Sequence, residues 1–145
     1  QKIRMLISNI FSIDREGGTF EEKLRRKIEA HFEILKKNPK IPFLVINEIT
    51  TNPERIASLR DSIGELPLSV YATFEQDLQK EIAQGRVRET NALDLMFSAL
   101  SLNLATFLVR PVLQNILGLT DEAMDGFLEH RKEENVKIIL QSLKP

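Results

Sequence analysis

Cysteine is absent from the 145-residue chain, which excludes disulfides, zinc-thiolate sites and thiol catalysis together. Neither sign of charge is in excess: 20 Lys and Arg stand against 21 Asp and Glu, a formal net charge of -1. A free-standing nucleic-acid-binding domain is normally basic, so these residues alone make a poor one. Strand signals are nearly missing, because no period-two alternation is sustained and no hairpin turn separates two alternating runs. Internal repeats and low-complexity segments are missing too. So are a phosphate-binding glycine loop, a serine nucleophile motif and the Glu-x-x-His pair of di-iron bundles. What is present is an ordinary globular balance, 42% hydrophobic and 28% charged, which argues for a packed core and against disorder. The length suits one domain.

Six glycines and six prolines punctuate helical periodicity. Ile3, Leu6, Ile7, Ile10 and Phe11 recur at helical spacing from the very start, with no cap ahead of them, so residues 1–13 read as the remnant of a helix. Ser8, Asn9 and Ser12 interrupt that stretch and no small-residue cleavage site follows, which argues against a signal peptide. Thr19 with Glu22 is a capping box opening a helix that carries Phe20, Leu24, Ile28, His31, Phe32 and Leu35 on one side. Asn38-Pro39 and Asn52-Pro53 mark the next boundaries. Leu66, Val70, Tyr71, Phe74, Leu78 and Ile82 trace a further helix that Gly85 stops. Thr90-Asn91 caps a long helix reaching about Leu117, and Thr120 opens the last, to about Leu143. The expected architecture is all-α, a bundle of about six helices plus the remnant, with residues 19–145 as its body.

The segment Ala92 to Leu117 carries only Asp94 and Arg110 as charges. Fifteen residues lie between them, too few for the ~18–20 that a bilayer requires, and Ser98, Ser101, Asn103 and Thr106 are among them. No membrane role is expected. On a helical wheel, one face collects the bulky Leu93, Met96, Phe97, Leu100, Leu104, Phe107 and Leu108. The other holds Leu95, Ser98, Ala99, Leu102, Thr106, Val109, Leu113, Ile116 and Leu117. A helix apolar on both sides must be covered on both. The bulky side is expected to meet the chain's own core, and the side with small residues a second copy. Leu102, Thr106, Val109, Leu113, Ile116 and Leu117, with Met124, Phe127, Leu128, Arg131, Ile138 and Ile139 of the last helix, are therefore the expected dimer interface. The last two long helices would form a four-helix bundle about a two-fold axis, with Arg131 and Asn135 in or beside the seam.

Three stretches, in order, carry a resemblance. Lys37-Asn38-Pro39-Lys40-Ile41-Pro42-Phe43 with Glu48 resembles an "NP.(L/I)P.F…E" passage between two helices. Ala83-Gln84-Gly85-Arg86-Val87-Arg88 resembles an "A…G.(I/L)R" turn, with Thr90-Asn91 where Asp-Pro is more usual. The ending from His130 to Pro145 resembles an "LL.GL.P" close, with Gln141-Ser142 departing at the glycine. Together these are similar to the C-terminal regulatory domain of TetR-type (tetracycline-repressor-like) transcriptional regulators, loosely from Phe20 to Pro145. The resemblance implies a homodimer, a small and mainly apolar effector bound in the helical domain, residues 1–13 as the remnant of the connector helix between two domains, and operator DNA contacted only through an N-terminal helix-turn-helix missing from these residues. It implies a repressor in the cytoplasm. The rival reading is a helical dimeric adaptor, or a carrier of lipid or another small molecule, with no DNA role.

Tyr71, Phe74, Met96, Phe97, Leu100, Asn103, Leu104 and Phe107 are candidates to line a cavity between helices, with Tyr71 and Asn103 each able to offer a hydrogen bond. His31, beside Ile28, Phe32 and Leu35, reads as a hydrogen-bonded core residue; under the resemblance it reaches the effector cavity as a polar contact. His130 with Glu133 and Glu134 has metal-ligand spacing on what reads as a solvated face, so no metal, cofactor or catalytic role is expected.

Overall fold

A computed structural model describes Asn9, residues 16–63 and residues 66–145. Among these residues there are seven helices and no strand: α1 (Phe20–Lys37), α2 (Ile41–Thr51), α3 (Pro53–Ile63), α4 (Leu66–Ala83), α5 (Ala92–Leu108), α6 (Arg110–Asn115) and α7 (Asp121–Ser142). The all-α architecture expected from the sequence is what forms. The connector helix expected over 1–13 lies outside the described residues, Asn9 excepted.

Local chemistry explains the boundaries. Both arms of the capping box are made: Glu22 N–H donates to Thr19 Oγ1 at 3.1 Å and Thr19 N–H to Glu22 Oε1 at 3.3 Å. Asn91 Oδ1 accepts from Asp94 N–H at 2.9 Å, and Thr120 Oγ1 from Ala123 N–H at 3.1 Å, opening α5 and α7. At the end of α4, Gly85 takes φ +77°. Arg86 N–H then reaches Glu81 O and Gly85 N–H reaches Ile82 O, the paired bonds of a Schellman close. The long helix expected from Ala92 to Leu117 is instead broken at Val109 into α5 and α6. Pro111 is the cause: its ring has no N–H to donate and crowds the carbonyl four residues back, that of Phe107.

Helices α1, α5 and α7 form the centre, and their order in space follows from two clusters. Leu24 and Ile28 of α1 meet Ala92, Leu95 and Ala99 of α5 and Val136 and Ile139 of α7 in the first, with Leu78 of α4 and Leu143. Phe32 and Leu35 meet Phe107, Met124, Leu128 and Ile41 in the second. So α1 and α5 run from the first cluster to the second, and α7 runs back. Two ion pairs on the surface confirm that antiparallel register, Lys132–Glu33 at 2.9 Å and Lys36–Glu129 at 2.7 Å, one index rising as the other falls. Such exposed pairs add little stability. They do hold the two helices in step. Helix α4 is pinned by Leu78, by Phe74 stacked on Phe20 at 5.6 Å, and by Glu75, whose carboxylate accepts from Ala92 N–H at 2.7 Å.

The two sides of α5 are the reverse of the expectation. Ala92, Leu95, Ala99, Asn103, Thr106 and Phe107 are buried, whereas Leu93 and Phe97 are 64% and 65% exposed. Of the bulky side only Phe107 reaches the interior, packing against Phe32 with ring centroids 4.9 Å apart. Small side chains let α1 and α7 approach α5 closely, and the bulk is left outside. The stretch Ala92–Asn115 is long and apolar enough to cross a bilayer by composition, yet its inner side is a packed face of this bundle with an asparagine at its centre.

A substitution pair separates the two faces. At dilutions where the chain is monomeric, Phe107→Ala is expected to cost about 3–5 kcal/mol and Phe97→Ala under about 1 kcal/mol in urea unfolding. Equal losses would mean that the bulky side faces the core after all.

Candidate functional site

Where the two apolar clusters meet, each central helix contributes a polar residue: His31 from α1, Asn103 and Thr106 from α5, Asn135 from α7. Asn103 and Asn135 are fully buried, and His31 and Thr106 nearly so. They are joined in one chain of hydrogen bonds. Arg131 Nε donates to Asn135 Oδ1 at 2.6 Å. Asn135 Nδ2 donates to Asn103 Oδ1 at 2.9 Å and more weakly to Thr106 Oγ1 at 3.4 Å. Asn103 Nδ2 donates to Ile28 O and lies 3.0 Å from His31 Nδ1. Thr106 Oγ1 passes its own proton to Leu102 O at 2.8 Å.

The direction of this chain is determined at its charged end. A guanidinium only donates. Asn135 must therefore turn its oxygen to Arg131 and its NH2 inward, and Asn103 must turn its oxygen to Asn135 and its NH2 to His31. His31 Nδ1 is left as an acceptor, so the imidazole carries its proton on Nε2. Burial pushes the His31 pKa down to about 4, and protonating Nδ1 would set donor against donor.

His31 also forms the inner wall of a cavity of about 70 Å³ that opens to the surface between α1, α4 and α5. Leu24, Lys27, Ile28 and His31 line it from α1, Val70, Tyr71 and Phe74 from α4, and Leu95, Met96, Ala99, Leu100 and Asn103 from α5. Its walls are almost wholly apolar, as ligand sites between helices are. The amide of Asn103 is spent on its neighbours. Among the described residues nothing accepts from His31 Nε2, and nothing bonds the Tyr71 hydroxyl. A larger groove of about 550 Å³ at the start of α1 is polar and charge-balanced, Lys23, Lys80 and Arg86 against Glu21, Asp77 and Glu81. The Arg86 guanidinium is paired with Glu81 there and holds that carboxyl below its usual range. That pairing leaves the apolar cavity as the stronger candidate.

Six of the expected cavity residues come together there: His31, Tyr71, Phe74, Met96, Leu100 and Asn103. Three do not. Phe97 points to solvent, Phe107 belongs to the second cluster, and half-buried Leu104 is not on the wall. Leu24, Lys27, Ile28, Val70, Leu95 and Ala99, none of them expected at a cavity, complete the lining. The expected dimer residues divide too. Met124, Leu128, Ile139 and Thr106 are buried inside the single chain, and Leu102, Leu113 and Phe127 pack half-buried against its clusters. Arg131 is half-buried at the end of the polar chain. Only Val109, Ile116, Leu117 and Ile138 stand exposed. The correction follows from the reversed faces of α5, since the side facing α1 and α7 is already covered. His130 is exposed, and no cluster of three His, Asp or Glu suited to a metal ion occurs among the described residues. Compared with family models, curated proteins and solved structures, the chain matches none.

Two measurements probe the site. The unfolded chain takes up a proton on His31 near pH 6.5, whereas the folded chain resists until about pH 4, so stability falls as pH drops through that window. Relative to His31→Asn, whose side-chain oxygen takes the place of Nδ1 as acceptor for Asn103, the wild type should lose about 2 kcal/mol between pH 7.5 and pH 5 in urea titrations. A constant difference would show that His31 titrates normally. Asn103→Leu and Asn135→Leu each orphan a buried partner and should cost about 1–3 kcal/mol. The double variant loses their shared bond once and leaves neither amide orphaned by the other, so it should cost clearly less than the sum. Strict additivity would mean that the two amides are not coupled.

Proposed function

We propose that these residues form the ligand-sensing and dimerisation part of a TetR-like transcriptional regulator, a repressor acting in the cytoplasm. Operator DNA would be read by a helix-turn-helix preceding them, and no catalytic step is assigned. The observation that carries the reading is the apolar cavity backed by the polar chain from His31 to Arg131. It gives a small molecule a place to bind between α1, α4 and α5, and it ties that place to α7. Further support comes from the stretches that carry the family resemblance. Lys37–Phe43 falls at the α1–α2 junction, Ala83–Arg88 at the turn leaving α4, and His130–Pro145 covers the second half of α7 and the close. A ligand entering beneath α4 would shift that helix against the α1–α5–α7 centre. In a dimer, that displacement would alter the spacing of two reading heads.

The second copy belongs on the outward side of α5 and on α6, where Leu93, Phe97, Val112, Ile116 and Leu117 are exposed. No charge interrupts α5 from Leu95 to its end, so the face is compatible with itself across a two-fold axis. Sedimentation velocity at micromolar concentration is expected to give a dimer. Phe97→Glu and Ile116→Glu should each yield a folded monomer, because a carboxylate buried without a partner is strongly disfavoured. A monomeric wild type defeats the dimer. An unrelated domain encoded directly ahead of Gln1 would defeat the DNA-recognition half.

A further inference from the structure

The cavity's chemistry narrows what it would hold, given the reading of it as a ligand site. We propose that its ligand is an uncharged, largely apolar molecule carrying one hydrogen-bond acceptor, such as a ketone, ester or lactone oxygen, and that His31 Nε2–H is the group that reads it.

His31 is 5% exposed, and its Nδ1 is occupied by Asn103, so its one remaining polar valence is the Nε2–H. That nitrogen is not sealed in protein, since no fully buried side-chain nitrogen or oxygen among the described residues lacks a partner. The open side available to it is the cavity that His31 lines. A ligand that displaces water from this donor without replacing the bond leaves it unpaired, which makes an acceptor a specific requirement of the site. Around it, Leu24, Val70, Phe74, Leu95 and Ala99 offer only hydrocarbon, so the rest of the ligand is apolar.

Charge is excluded by the same polarity. The chain of amides from Arg131 keeps His31 as a neutral donor, and an anion placed against it would meet no countercharge at the inner wall. Lys27, the one charged residue on the lining, is already engaged in an interaction of its own. Tyr71, on the opposite helix, is the other lining residue whose polar group has no partner among the described residues. The cavity of about 70 Å³ is open at its mouth, so a ring seats there only in part and a longer molecule would extend outward along α4.

Three probes of one shape test this by titration calorimetry on the 145-residue chain: cyclohexanone, methylenecyclohexane and cyclohexanecarboxylate. Transfer from water alone favours the alkene, which has no polar group to desolvate. The expected order in the wild type is nonetheless ketone tightest, then alkene, then carboxylate, and His31→Phe should weaken the ketone about tenfold relative to the alkene. Should that variant not fold, nitrogen NMR of the wild-type histidine rings serves in its place. The Nε2–H signal of His31 should move with the ketone and stay with the alkene. An alkene that binds as tightly as the ketone overturns the acceptor requirement and leaves the cavity as a ligand site. A carboxylate that binds tightest overturns the neutral class. If none of the three binds, the ligand reading itself falls, and this inference with it.

Discussion

A guanidinium donates hydrogen bonds and accepts none, and at Arg131 that one-way chemistry governs every amide behind it. Asn135, Asn103 and His31 are each symmetric enough to be turned either way in isolation. Linked to Arg131 they have a single consistent arrangement, in which every donor between Arg131 and His31 Nδ1 has an acceptor. The tautomer of a histidine on α1 is thus decided by an arginine on α7, through α5. Reversing any one amide would place nitrogen against nitrogen in an interior where neither could turn to water, which is why the chain behaves as a unit.

That unit lies at the join of two apolar clusters, and its position explains the register of the bundle. Apolar side chains are interchangeable partners, so three antiparallel helices can slide by a turn and still bury Leu and Ile. A buried asparagine cannot slide without losing its partner. Asn103 reaches both α1 and α7, so it locks the depth of α5 against both. The ion pairs Lys132–Glu33 and Lys36–Glu129 repeat the α1–α7 register at the surface, where water weakens them. The interior bonds carry the specificity.

Much of this was legible in the residues, and the losses have one source. Helix ends could be read because caps and glycine turns act locally: Thr19 with Glu22, Asn91, Thr120 and Gly85 all do what their neighbours demand. The polar chain left a signal as well, since His31 and Asn103 are polar residues on apolar helix faces and Asn135 falls with Arg131 on the apolar stripe of the last helix. What could not be read was which apolar side of α5 faces inward. Bulk is a poor mark of the core here, because close packing of three helices selects Ala92, Ala99 and Thr106 for the inside and leaves Leu93 and Phe97 outside. The same inversion removes Phe97 from the cavity and buries much of the expected interface. Pro111 breaks the helix within a stretch whose apolar periodicity continues across it.

Helix α5 is where these threads meet. Within three turns it turns Met96 and Leu100 to the cavity, Ala99 and Asn103 to α1 and α7, and Phe97 to the outside. Residues so placed on one rigid helix cannot respond independently. The centre made by α1, α5 and α7 is held by buried amides and two apolar clusters, whereas the described part of α4 has Leu78 as its one fully buried side chain. Any molecule entering the cavity therefore meets one stiff wall and one compliant wall, and its volume is accommodated by α4. If a second copy covers the outward side of α5, the stiff wall is shared between the two protomers, and each α4 moves against a common frame. Small side chains facing inward on α5 are what make that frame tight, and the bulk they displace to the surface is what the frame offers a partner.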